Sequence, residues 1–234
     1  MIRPIESVAV LGAGTMGSGI AALCAQTGCR VLLLDVSTDA AERALARMVE
    51  GRAPMLDDPA RAELITAGSF DRNLADAGAC DWICEAIIED LATKRALFER
   101  LEAVRRDGTI VSSNTSGIPL RAITEGLPER LRRAIAVTHF FNPVKVMKLV
   151  ELVLGADTAP DVLATFEAFL GERLGKGVVH AKDTVNFIGN RIGCFWMLAG
   201  LHGAAAARAP ASRPSASMPC CQRRSGFRQP GCTG

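Results

Sequence analysis

Residues 7–35, SVAVLGAGTMGSGIAALCAQTGCRVLLLD, decide the fold. Val8–Leu11 and Val31–Leu34 are continuous apolar runs of strand length, as expected of parallel strands covered on both faces. Between them lies an apolar stretch of helical length, and Gly28 is placed to end that helix in a left-handed turn. Strand, loop, helix and strand in this order make a βαβ unit. The loop, Gly12-Ala13-Gly14-Thr15-Met16-Gly17, fits the pattern GxGxxG. Gly12 permits a tight turn, Gly14 lets backbone approach a pyrophosphate, Gly17 allows close helix–strand packing, and the phosphates would lie on the helix N-terminus beside Thr15 and Met16. Asp35 follows Gly17 by 18 residues, at the end of the second strand. A carboxylate there accepts from ribose hydroxyls and repels a 2′-phosphate, and Val36-Ser37-Thr38 offers no arginine to receive one, so the expected cofactor is NAD and not NADP.

Working outward, short apolar runs recur at Trp82–Cys84, Ile110–Val111, Ile135–Val137, Leu149–Leu154 and Val178–His180, alternating with expected helices at Asp39–Val49, Pro59–Ala67, Leu91–Arg105 and Pro160–Leu174. This alternation predicts an α/β fold, a doubly wound, Rossmann-type parallel sheet over residues 1–183. Residues 184–203 carry an apolar segment, Phe187–Leu201, that reads as the first helix of a second domain. From Ala204 onward the chain is Ala, Pro, Ser, Arg and Cys without period, with four of the eleven prolines, and residues 204–234 are expected to be disordered.

Composition narrows the function classes. The chain has 234 residues, 49% of them hydrophobic, enough for one substantial core. The net charge of +2 is unevenly spread, because residues 1–183 hold 21 basic against 25 acidic residues and the remaining six arginines all come later. An acidic body gives no electrostatic footprint for nucleic acid. Among the eight cysteines, Cys24, Cys29, Cys80, Cys84 and Cys194 lie singly in apolar segments, and Cys220, Cys221 and Cys232 crowd the end, so reduced thiols and no metal site are expected. The N-terminus lacks the apolar core of a secretion signal and no run approaches the ~20 residues of a membrane span, so a cytoplasmic protein without a membrane partner is expected.

Three further places carry polar groups where chemistry could sit. His139 follows Ile135–Thr138, at the carboxyl end of an expected strand, where open α/β sheets form their ligand crevice; a packed histidine is the alternative. Glu151 interrupts Leu149–Leu154, and a carboxylate inside a buried strand is costly unless satisfied; it either pairs with His139, orienting the ring as a base, or faces water from an edge strand. Ser112-Ser113-Asn114-Thr115-Ser116 follows another strand and could be ordinary turn and capping chemistry. Asn190 in the apolar segment could equally be a helix-surface position, Arg191, His180 and His202 carry no signal, and Trp82, Phe140 and Phe141 read as core.

The segments LGAGTMGSGIA, LLLDV, CEAIIEDLATK, SSNTSGIPL, THFFNPVKVMKLVELV and GKGVVHAKDTVNFIGNRIG together resemble the NAD-binding part of the 3-hydroxyacyl-CoA dehydrogenases over about residues 5–202, with particular similarity to the long bacterial forms that also carry an enoyl-CoA hydratase region. The resemblance implies His139 as the base, Glu151 as its orienting carboxylate, and Ser116 and Asn190 as hydrogen-bonding groups around substrate and nicotinamide. It likewise implies Glu89, Lys94, Ser116 and Asn142 as cofactor contacts beside Gly12, Gly14, Thr15, Met16, Gly17 and Asp35. The implied reaction is NAD-dependent oxidation of a 3-hydroxyacyl-CoA to a 3-oxoacyl-CoA in fatty-acid β-oxidation, with acyl-CoA as the partner molecule.

The chain departs from the family pattern twice. Val185-Asn186 stands where many members have Pro-Gly. The resemblance also stops near residues 201–203, before the helical domain that in the family closes the site and forms the dimer. The chain therefore reads as C-terminally truncated with an out-of-frame tail, its dimer interface largely absent, and the alternative function is an NAD-binding remnant without significant turnover.

Overall fold

The computed structural model describes residues 4–50 and 54–206. Eight strands form one sheet among these residues: β1 (Ser7–Leu11), β2 (Arg30–Asp35), β3 (Ile65–Ser69), β4 (Trp82–Glu85), β5 (Ile110–Ser113), β6 (Ile135–Phe140), β7 (Leu149–Leu154) and β8 (Gly177–Ala181). Their spatial order is β3-β2-β1-β4-β5-β6-β7-β8. β1 to β6 run parallel, β7 pairs antiparallel with β6, and β8 runs parallel to β7. The expected all-parallel sheet is thus corrected at one border. The connection from Phe140 to Leu149 is too short for a helical crossover, so the chain returns beside β6 in the opposite direction.

The helices are α1 (Thr15–Gln26), α2 (Thr38–Glu50), α3 (Phe70–Gly78), α4 (Leu91–Val104), α5 (Leu120–Thr124), α6 (Glu129–Arg132), α7 (Pro160–Ala168) and α8 (Gly189–Ala206). α1 to α7 cover both faces of the sheet with two apolar clusters. One packs Ile20, Ala21 and Cys24 of α1 with Phe166 and Leu170 over Val8, Val10 and Trp82; the other packs Leu74, Phe98, Leu101 and Ile123 over Ala9, Leu11 and Ile83. Continuous apolar strands are the direct consequence, since alternate side chains of each strand serve opposite layers.

The expected helix at Pro59–Ala67 is a 3-10 helix over Pro59–Leu64, capped by the Asp58 carboxylate on the Ala60 amide at 3.0 Å, followed by β3. Ile65-Thr66-Ala67-Gly68-Ser69 has too little β-branched character to announce a strand, and it is pairing with β2 that makes it one. The Pro160 helix changes to a π-type turn at Phe169–Arg173. α8 begins at Gly189 and not Phe187, because Asn186 and Phe187 lie at φ 63° and 43°. It continues to Ala206, so the expected disorder does not begin at Ala204, and residues 207–234, with the remainder of that expectation, lie outside the described residues.

The chain divides into two compact units between Arg191 and Ile192. The first holds the sheet. In the second, the α8 side chains Ile192, Phe195, Trp196, Met197, Leu198 and Leu201 are exposed. Cys24, Cys29, Cys80 and Cys84 are buried thiols. Burial pushes the Cys84 thiol up to about 12, against the hydroxyl groups of Ser112 and Thr138. No helix among the described residues is long and apolar enough to cross a membrane.

Candidate active site

Strand order reverses between β1 and β4, and the crevice of an open α/β sheet forms outside the carboxyl ends at such a point. The glycine loop fills it. Gly12 has φ +108°, and a Cβ there would stand 2.5 Å from the Ala86 carbonyl oxygen after β4. Gly17 cannot carry a side chain either, because its Cβ would lie on the Gly12 carbonyl; its role is to close the turn as well as to approach Val10. A Cβ on Gly14, by contrast, would meet nothing within 4 Å, so this backbone faces open space. α1 starts at Thr15 with no acidic residue in its first turn, leaving its amide end available to an anion. A cleft of about 690 Å³ adjoins the loop, lined by Gly12, Gly14, Asp35, Val36, Ile87 and Ile88 among others. Asp35 accepts from the Ala13 amide at 2.6 Å and the Val36 amide at 2.7 Å, so its carboxylate anchors the loop while standing in the cleft wall. Carboxylate oxygens have room for further donors. This combination fits a dinucleotide: an open glycine backbone, a helix amide end and a carboxylate one strand away.

His139 and Glu151 are direct cross-strand partners in the antiparallel β6–β7 pair. The Nδ1 atom of His139 lies 2.7 Å from Oε2 of Glu151, and both side chains are buried. β8 covers the far edge of β7, so Glu151 does not sit on an edge strand. Its second oxygen accepts the amides of Ile188 at 2.9 Å and Gly189 at 2.8 Å, at the start of α8. With Nδ1–H donating to this carboxylate, the imidazole lone pair resides on Nε2. Phe141 and Phe187 flank the ring at centroid distances of 4.5 and 5.7 Å. Phe140 is core as expected, but Phe141 is a wall of the site.

The serine-rich segment divides. Ser112 is buried between the Trp82 indole N–H at 2.9 Å and Thr138 at 2.7 Å, a structural position. Asn114 accepts the Phe140 amide at 2.9 Å, tying the ends of β5 and β6 together. Thr115, Ser116 and Gly117 all donate to Oε1 of Glu89, the hydroxyl of Thr115 at 2.6 Å and the two amides at 2.8 and 3.0 Å. Burial alone would raise the Glu89 pKa, but these donors and the Lys94 charge outweigh it and hold it below the usual range. The Asn190 side-chain amide donates to the Ser116 carbonyl at 3.0 Å.

Two polar groups hold the four candidate catalytic residues, His139 with Glu151 and the Ile188 and Gly189 amides, and Asn190 with Ser116 and Glu89, and the backbone from Gly189 to Asn190 joins them. Lys94 joins the second group, 3.3 Å from Glu89. Asn142 stands apart, beside a second cavity of about 300 Å³ that it shares with Thr15 and Gly19. Met16 lies on the first turn of α1, half-buried, packed against the core. Among the described residues no group of three or more metal-ligating side chains gathers.

Sequence reading missed Glu85, Phe187 and Gly189. Glu85 is fully buried and bonded to Lys94. A Cβ on Gly189 would lie 2.7 Å from the Phe141 ring, so this glycine lets α8 approach the base. The available signal for Glu85 was a carboxylate closing an apolar strand, akin to the one that singled out Glu151 within its run.

Comparisons with known proteins agree with this geometry. Residues 7–184 match the family model described as 3-hydroxyacyl-CoA dehydrogenase, NAD binding domain. A probable 3-hydroxyacyl-CoA dehydrogenase of Bacillus subtilis is 37% identical over 85% of this chain and 28% of its own length. Another, of Deinococcus radiodurans, is 39% identical over 82% of this chain and 57% of its own. The chain thus spans from about a quarter to under three fifths of these relatives. The crystal structure of (S)-3-hydroxybutyryl-CoA dehydrogenase from Ralstonia eutropha superposes with a TM-score of 0.77 at 30% identity, covering 88% of this chain and 74% of that one.

Proposed function

The chain belongs to the 3-hydroxyacyl-CoA dehydrogenase family through its NAD-binding domain, and we propose that it takes part in the NAD-dependent oxidation of a 3-hydroxyacyl-CoA to the 3-oxoacyl-CoA, a step of fatty-acid β-oxidation. The observation that carries the reading is the buried His139–Glu151 pair, which leaves Nε2 of His139 as the proton acceptor. Bound NAD supplies the hydride acceptor at its nicotinamide ring. On the side of the protein, Nε2 of His139 takes the proton of the 3-hydroxyl as the C3–H electron pair departs, and the O–H pair becomes the carbonyl π bond. Glu151 stabilises the imidazolium that forms and fixes the ring orientation, in part because the α8 amides hold its other oxygen. Ser116 and Asn190 line the approach to the reacting oxygen, and donors held in place there stabilise developing charge without reorganisation.

Cofactor contacts are assigned to Gly12, Gly14, Thr15, Met16, Gly17 and Asp35 around the phosphates and adenosine ribose, and to Glu89, Ser116 and Asn142 toward the nicotinamide; the expected contact from Lys94 is corrected, because its side chain is 1% exposed and stands behind Glu89, paired with Glu85. We assign residues 1–183 to the dinucleotide-binding domain and the segment from residue 184 to the start of a helical one. The test is to incubate the chain with NAD and 3-hydroxybutyryl-CoA, then with longer 3-hydroxyacyl-CoA thioesters, while following NADH absorbance, and to titrate NADH separately. NADH binding with thioester-dependent reduction of NAD supports the reading. NADH binding without reduction leaves a dinucleotide-binding chain and removes the turnover; failure to bind NADH removes both.

A further inference from the structure

Beside the site lies a buried carboxylate that no step of this chemistry uses. Glu85, the last residue of β4, is 0% exposed. Its Oε1 accepts from Nζ of Lys94 at 2.7 Å and from the Ile87 amide at 2.8 Å, and its Oε2 accepts from the Ser113 hydroxyl at 2.5 Å. Lys94, on α4, is as deeply buried, and it reaches Oε2 of Glu89 at the longer distance of 3.3 Å. Burying two charges costs desolvation that their attraction does not always recover, and apolar replacements of the same volume are often neutral or stabilising. Stability is therefore a weak reason for this pair.

The geometry offers a stronger one. Two carboxylates compete for one ammonium, and Glu85 has the shorter contact. Glu89, whose side chain is 39% exposed, is left free to hold Thr115, Ser116 and Gly117 with its other oxygen. An ammonium without Glu85 would close on Glu89 and draw it off that turn, and Ser116 in turn supports Asn190. We propose that Glu85 is a positioning residue for the cofactor site: it holds Lys94 back from Glu89, so that the Glu89 carboxylate and the turn over Thr115–Gly117 keep the geometry that receives NAD. This inference rests on the reading of the cleft as an NAD site.

The test uses the whole chain and NADH fluorescence as the probe. Glu85→Gln keeps the shape but removes the charge that retains Lys94, and should raise the NADH dissociation constant about tenfold, the range expected of a residue acting along a coupled network. In a Lys94→Met background the same substitution should add nothing, because the group it acts through is gone. A merely structural Glu85 would lower the unfolding temperature while leaving NADH affinity unchanged below it, and that result overturns the proposal. So does a loss of affinity that simply adds to that of Lys94→Met. Should Glu85→Gln fail to fold, Ser113→Ala decides instead: it loosens Glu85 without removing its charge, and a roughly threefold weaker affinity supports the proposal while an unchanged one overturns it. Wild-type chain that binds no NADH overturns the site reading and this inference with it, whereas equal binding by wild type and variants overturns the inference alone.

Discussion

At the scale of single residues, the site is a matter of which polar atoms are committed to the fold and which remain for a ligand. His139 commits Nδ1 to Glu151 and keeps Nε2. Its replacement by Gln should lower kcat by about 10²–10⁴, the usual cost of a lost general base, while NADH affinity measured by fluorescence titration stays within a factor of two. A variant retaining more than half of its turnover would show His139 to be structural. Asn186 explains the first departure from the family pattern. It occupies φ 63°, a left-handed conformation natural to glycine, and asparagine is among the few other residues that tolerate it. Its side-chain oxygen stands 3.2 Å from where a Cβ on Gly117 would be, so the residue also packs over the turn that carries Ser116.

At the scale of elements, two junctions hold the site in register. Asp81, just before β4, accepts from the Glu6 and Ser7 amides at 3.0 and 2.9 Å and the Ser7 hydroxyl at 2.8 Å, fastening the start of β1 to β4, and its other oxygen pairs with Arg106. Burial works to raise its pKa, but these donors win and hold it below the usual 3.8. A carboxyl depressed on folding stabilises the fold above its unfolded pKa and loses that contribution as pH falls through the folded one. Asp81→Asn should therefore lower stability at pH 7, measured by urea unfolding, and the gap to wild type should begin to narrow below about pH 4 and close as the folded carboxyl protonates at lower pH. A gap that persists at pH 2 would mean that packing, not charge, is lost. The second junction is Gly189 against the ring of Phe141, the residue after β6. Gly189→Ala would drive a methyl group into Phe141, which is in contact with His139, so kcat should fall while NADH affinity is retained. Unchanged kcat would show that the Phe141 ring can give way without disturbing the base.

At the scale of the whole molecule, a ligand that binds only the folded state must stabilise it by mass action. NADH at a hundred times its dissociation constant should add about 2.7 kcal/mol, a rise in unfolding temperature of about 5–10 °C for a chain of this size. NADPH at the same concentration should give about half of that or less if Asp35 takes the ribose as proposed, because its carboxylate would repel the 2′-phosphate and weaken binding at least tenfold. Equal shifts would remove the NAD preference assigned to Asp35.

What the sequence determined by itself is what neighbouring residues decide. The βαβ unit of residues 7–35 is written in two apolar runs, a glycine spacing and a carboxylate, because turn geometry, helix start and strand burial all act within some 30 residues there. The candidate base and its carboxylate were also legible, since a His at a strand's carboxyl end and a Glu within an apolar run each violate the local pattern. Their partnership was one of two readings that the sequence left open, the other being a Glu151 that faces water from an edge strand. The pairing follows from β7 turning back on β6 so that His139 and Glu151 face each other, a register set by packing on both sheet faces. β3 escaped notice because its residues become a strand only beside β2. Glu85 and Lys94 were separated in meaning until burial removed water and left each as the other's main partner. Desolvation depends on everything packed around a group, and that sum exists only in the tertiary structure.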